Sequence, residues 1–212
     1  LVMLKGAFIY PGSLGYTLYY TTNFIFTGLA VATAFHAKLF NIGGEGQAYI
    51  GSLGILFATA LFAQYLPSLL VIILCICCSA LFGAAWAIIP GYLQAKRGSH
   101  IVITTIMFNF LASSLMVWLL SGMLMEKGQQ SPQSNLLPEN IRLSKVQNAF
   151  EVLGINISSS PMNLSFIVAL IALLLFWILI WKTRLGYEIR AVGKNQDAAN
   201  YAGINVSRII VI

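Results

Sequence analysis

Five long apolar runs, separated by short polar stretches, set the pattern of this 212-residue chain. They fall near Leu14 to Ala37, Gln47 to Tyr65, Ser68 to Leu93, Ile101 to Ser121 and Asn163 to Trp181. A helix that crosses a membrane needs about 20 mostly apolar residues, because each adds about 1.5 Å and the hydrocarbon layer is about 30 Å thick. Each run has that length. Between Gly46 and Ala95 there is no Asp, Glu, Lys or Arg, and 50 uncharged residues supply two crossings. Only helices and closed barrels satisfy their backbone groups in lipid, and the period-2 alternation of a barrel strand is absent. The predicted fold is all-α: a polytopic transmembrane helical bundle, with residues 1–212 forming one membrane domain of about five spans. The chain opens on Leu1, shows no signal-peptide pattern and stops at "SRIIVI", which reads as the start of another span. An internal piece of a longer protein, incomplete at both ends, is therefore expected.

Composition agrees, with 58% hydrophobic and 8% charged residues. The net charge of +6 comes from basic residues scattered among apolar runs, without the aromatic-interleaved patch of a nucleic-acid binder. Sidedness explains them instead. Lys38, Lys96, Arg97, Lys182, Arg184, Arg190 and Lys194 fall on one side if every run crosses, and the positive-inside bias makes that side the cytoplasm. Residues 122–162 are then external. There Lys127, Arg142 and Lys145 balance Glu126, Glu139 and Glu151, and Pro132, Pro138 and "SSSP" mark loops. This loop reads either as a surface for an external partner or as a solvated connector. Pro67 suits a helix start, and Pro90 predicts a kink near the end of the third run. Cys75, Cys77 and Cys78 lack His or carboxylate neighbours at ligand spacing, so neither metal nor disulfide is expected.

The stretch "NIGGEGQ", residues 41–47, puts three glycines and a carboxylate between two spans. Each Gly costs a helix interior about 1 kcal/mol relative to Ala, so the helix is predicted to break there and resume near Gln47. If the break lies at the membrane edge, Glu45 is merely solvated. If it dips toward the midplane, the start of the next helix and Glu45 line a polar site, because an intramembrane carboxylate costs at least about 2.5–3.5 kcal/mol and is kept for function. Asn41 and Gln47 flank the carboxylate. On the fourth run, Thr105 and Asn109 share a face at i and i+4, as interhelical hydrogen-bonding groups or as contacts for a solute.

The segment 182–207 is the informative polar stretch. Asn195 is predicted to cap a short helix over Gln196 to Ala202, with Asp197 in its first turn and Gly203 ending it. Two turns are marginal alone, so this helix must dock on a partner or on the protein's own helix ends. Its small residues Ala198, Ala199 and Ala202 are expected on one side, permitting close approach.

The pair "LFNIGGEGQ" (39–47) and "GYEIRAVGKNQDAANYAGI" (186–204), with "TTIMFNFLA" (104–112) between them, resembles the permease subunits of bacterial ABC importers. The similarity is to the branched-chain amino acid, ribose and simple-sugar superfamily, nearest its nucleoside and simple-sugar permeases. The resemblance implies a cytoplasmic ATPase subunit, an external solute-binding protein, a second permease subunit (the same or related) and a multi-pass location in the bacterial inner membrane. It implies that Gly186, Glu188, Arg190, Gly193, Asn195, Ala198, Ala199 and Gly203 belong to the segment that couples to the ATPase. It also implies that Asn41, Gly43, Gly44, Glu45, Gly46 and Gln47 line or shape the translocation path, to which Asn109 is added as a candidate from the face it shares with Thr105. No G-x-x-x-x-G-K-[ST] phosphate loop occurs, so energy is expected from another polypeptide and no cofactor is required. An ion-driven carrier is the competing reading, with Glu45 and His36 as its only intramembrane relays; a non-transporting scaffold leaves the glycine break without a role.

Overall fold

The computed structural model describes residues 2–125, 128, 131, 133, 134, 136–148 and 159–212. Glu126, Lys127, Pro132, Glu151 and Asn156 of the predicted external loop lie outside the described residues. Among the described residues the regular elements are helical: α1 (Val2–Phe8), α2 (Ser13–His36), α3 (Gly44–Phe62), α4 (Ser68–Arg97), α5 (Ile101–Ser121), a 3-10 turn (Glu139–Ile141), α6 (Ser165–Lys182), α7 (Arg184–Lys194), α8 (Gln196–Tyr201) and α9 (Val206–Val211). Each of the five predicted apolar runs is one helix. α4, α5 and α6 are each long and apolar enough to cross a membrane. α2 and α3 hold 24 and 19 residues, span length as well, and are more polar. Many large apolar side chains face outward: Leu81, Phe110 and Trp118 are all more than 60% exposed, as lipid-facing or partner-facing surfaces are.

The chain divides into two compact units, 1–33 with 143–187, and 34–142 with 188–212. In the first, Gly15 meets Ser160 so closely that a Cβ there would overlap the serine side chain. Ahead of α6, an isolated antiparallel bridge joins Lys145 to Asn163, and Asn163 Oδ1 accepts the Ser165 N–H at 2.9 Å.

In the second unit, α3 and α4 pack antiparallel along a line of small residues. A Cβ on Gly54 would stand 2.5 Å from the Cys78 carbonyl oxygen, one on Gly51 3.0 Å from Ser79 Oγ, and one on Gly83 3.3 Å from the Gln47 carbonyl oxygen. Small residues let membrane helices approach to backbone contact where no hydrophobic effect drives them together. Cys75, Cys77 and Cys78 are free thiols on α4. Pro67 precedes α4 as expected. Pro90 does not end it: α4 runs on to Arg97 and stops at Gly98, whose φ of +65° suits glycine.

Candidate functional site

The glycine break sits in the second unit, and its register differs from expectation. Residues 37–43 leave the helix, whereas Gly44, Glu45 and Gly46 form the first turn of α3, three residues before Gln47. First-turn amides have no intrahelical partner, so glycine costs little there. What shapes the break is a set of side chains. Asn41 Oδ1 accepts the Gly43 N–H at 2.7 Å, and Thr105 Oγ1 of α5 accepts the Ile42 N–H at 3.3 Å. Asn109, one turn further along α5, accepts the Gly46 N–H at 2.9 Å and donates from Nδ2 to the Ile42 carbonyl at 2.9 Å. The Thr105–Asn109 face is therefore an interhelical clamp on the backbone of 42–46, and Thr105 is fully buried beneath it.

Glycine is required at two of the three positions. A Cβ on Gly46 would stand 2.9 Å from Asn109 Oδ1 and 3.1 Å from the Phe108 carbonyl oxygen; one on Gly43 would stand 2.9 Å from Asn41 Oδ1. Among the described residues, a Cβ added to Gly44 would meet no atom of another segment within 4 Å. Gln47 is half-buried, its carbonyl against Gly83.

Depth follows from the neighbours. Gln47 is level with Gly83, which at 1.5 Å per residue is about 21 Å along α4 from its basic end at Lys96 and Arg97. Gly46 is level with Asn109, about 12 Å along α5 from Ile101 at the corresponding end. By either measure α3 starts part-way along its neighbours and not level with their basic ends. Glu45 is exposed at this depth, and among the described residues its hydrogen-bond partner is the Tyr49 hydroxyl, which donates to Oε1 at 3.3 Å.

The second group of candidate residues lies on α7 and α8. An extended Thr183 separates α6 from α7, and its Oγ1 accepts the Gly186 N–H at 3.1 Å. Gly186 rests on the Leu179 and Ile180 carbonyls, where any side chain would overlap them. The sequence reading does not anticipate α7. Its signal is Leu185, Ile189 and Val192 at i, i+4 and i+7, and Ile189 and Val192 are buried. Glu188 and Arg190 are half-buried on it. Gly193 lies against the His36 carbonyl and leaves no room for a side chain. Lys38, which takes a φ of +56° just after α2, reaches the Lys194 carbonyl with Nζ at 3.5 Å, a cation at the end of α7.

α8 forms as expected. Asn195 Oδ1 accepts the Ala198 N–H at 3.0 Å, and Gly203 ends the helix with a φ of +82°. The alanines do not share one side, however. Ala199 is buried at 4% exposure, while Ala198 and Ala202, four residues apart, face outward. After it, α9 returns the chain to α4: a Cβ added to Gly91 would stand 3.3–3.4 Å from Ile210 and Val211 backbone atoms.

The matching family is "Branched-chain amino acid transport system / permease component", over residues 13–212. The chain belongs to that family. Among curated relatives, it is 35% identical to the nucleoside ABC transporter permease protein NupB of Lactococcus lactis, over 94% of this chain and 54% of the relative. It is 34% identical to the guanosine ABC transporter permease protein NupP of Bacillus subtilis, over 93% of this chain and 54% of that one. The glucose ABC transporter permease protein TsgB13 of Haloferax volcanii is 32% identical over 85% of this chain and 47% of its own length. The chain thus spans about half the length of these relatives. No solved structure matches it.

Proposed function

We propose that the chain is the membrane-spanning part of a permease subunit in an ATP-driven importer of a nucleoside or simple sugar. It sits in the bacterial inner membrane, with the 122–162 side outside and 182–207 inside against a separate ATPase subunit. An external binding protein delivers the solute, and a second permease subunit completes the pore. The observation that carries this reading is α8: six residues, capped, seated by buried Ala199, with Ala198 and Ala202 turned outward. A helix this short persists only because it is docked, and its outer small-residue stripe suits a receiving groove on another protein. The family, and the nucleoside and guanosine transport for which its relatives are named, support the same reading.

The test is solute uptake by vesicles holding the full-length permease with its ATPase. Uptake is expected to need ATP and to survive a protonophore, and Ala198→Trp is expected to abolish it without changing membrane insertion. Uptake that collapses with the proton gradient and ignores ATP would make the protein an ion-driven carrier.

A further inference from the structure

Among the described residues, α3 packs with one face, against α4 and α5. Its buried positions are Gly46, Ile50, Gly51, Gly54 and Ala58. At about 100° per residue, Glu45, Tyr49, Ser52 and Leu56 fall within an arc of about 60° on the opposite side. Along this stripe the Tyr49 hydroxyl donates to Glu45, and the Ser52 hydroxyl donates to the Tyr49 carbonyl at 2.6 Å. The stripe runs out into a cavity of about 600 Å³ at the far end of α3, whose walls include Leu56, Thr59, Ala63 and Gln64, with Met123 and Asn140 opposite. One helix face therefore joins a carboxylate at the start of α3 to an open cavity at the other end of the same helix.

We propose that this face carries the solute: the cavity is its vestibule, and Glu45 with Tyr49 is the inner contact that selects it. The inference rests on the importer reading and goes beyond it by assigning the contacts. The Glu45 carboxyl oxygens accept hydrogen bonds, and the two of them match two adjacent hydroxyl donors. A solute phosphate or carboxylate would bring acceptors to a site that itself offers acceptors, so the pairing favours neutral polyols such as a ribose or hexose ring. The Tyr49 phenol holds one carboxylate oxygen, and its ring offers an apolar surface for the C–H face of a sugar or for a base. The cavity is of the size small-molecule sites have, and mixes apolar walls with a few amide and hydroxyl groups.

The experiment uses the full-length permease with its ATPase in vesicles. Uptake of guanosine is compared with 2′,3′-dideoxyguanosine, or glucose with 3-deoxyglucose if the importer takes glucose. Wild-type protein is expected to favour the intact diol by about tenfold to a hundredfold in KM, and Glu45→Gln and Tyr49→Phe to bring that ratio within about threefold of one. In parallel, Ser52→Cys, in protein whose Cys75, Cys77 and Cys78 are alanine, is expected to react with a membrane-impermeant thiol reagent and to be protected by solute. An unchanged KM ratio in both Glu45→Gln and Tyr49→Phe, or a Ser52→Cys variant that still transports yet takes up no label, would overturn the proposal. Loss of ATP-driven uptake in the wild type would instead overturn the importer reading.

Discussion

Three neighbouring glycines, Gly43, Gly44 and Gly46, look alike in the sequence and differ in the structure. Only the first and last abut other atoms closely enough to forbid a methyl group, and Gly54 is tighter still, facing backbone that has no flexible end to move. Gly46→Ala and Gly54→Ala are therefore expected to destabilise the permease by about 1–3 kcal/mol through overpacking. Gly44→Ala, in open space on a helix, is expected to be neutral or to stabilise by up to about 1 kcal/mol. Thermal melts of the three variants in detergent check this, and equal shifts for all three would mean that contact does not distinguish these glycines. The sequence showed that glycine was concentrated here. For Gly46 and Gly54 the need came from Asn109 of α5 and Cys78 of α4, 63 and 24 residues away, so no local pattern held that information.

The clamp on the break belongs to the scale of elements. Asn109 uses both ends of its carboxamide on the backbone of the segment between α2 and α3, so Asn109→Ala leaves the Gly46 N–H and Ile42 carbonyl without that partner. Interhelical hydrogen bonds in membranes average about 0.6 kcal/mol, so a loss of about 1–2 kcal/mol is expected. Thr104→Ala is the control, because its hydroxyl donates within its own helix, to the His100 carbonyl at 3.0 Å. Equal melts for the two variants would argue against the clamp. Element by element, the apolar runs were legible because their length alone encodes a span, and α8 was legible because Asn195 and Gly203 bracket it with opposite backbone requirements. α7 was not, because charged residues interrupt its three apolar positions and give the segment the look of a polar loop. The break was misplaced because a first helical turn tolerates glycine that a helix interior does not.

At the scale of the whole molecule, the direction in which α8 presents its alanines becomes testable. Cysteines at 198 and 202, on full-length permease in native membranes, are expected to cross-link to an ATP-hydrolysing subunit, whereas Ala199→Cys, on the inner side, is expected to give little product. Strong cross-linking from 199 alone would reverse the assigned orientation. The depth of Glu45 has a consequence of another kind. Its carboxyl is exposed about 12 Å along α5 from Ile101, part-way down an apolar helix, where a polar group needs water or a polar partner and not lipid. Under the importer proposal, the barrier that opens and shuts would then be thinner than the full bilayer on that side of α3.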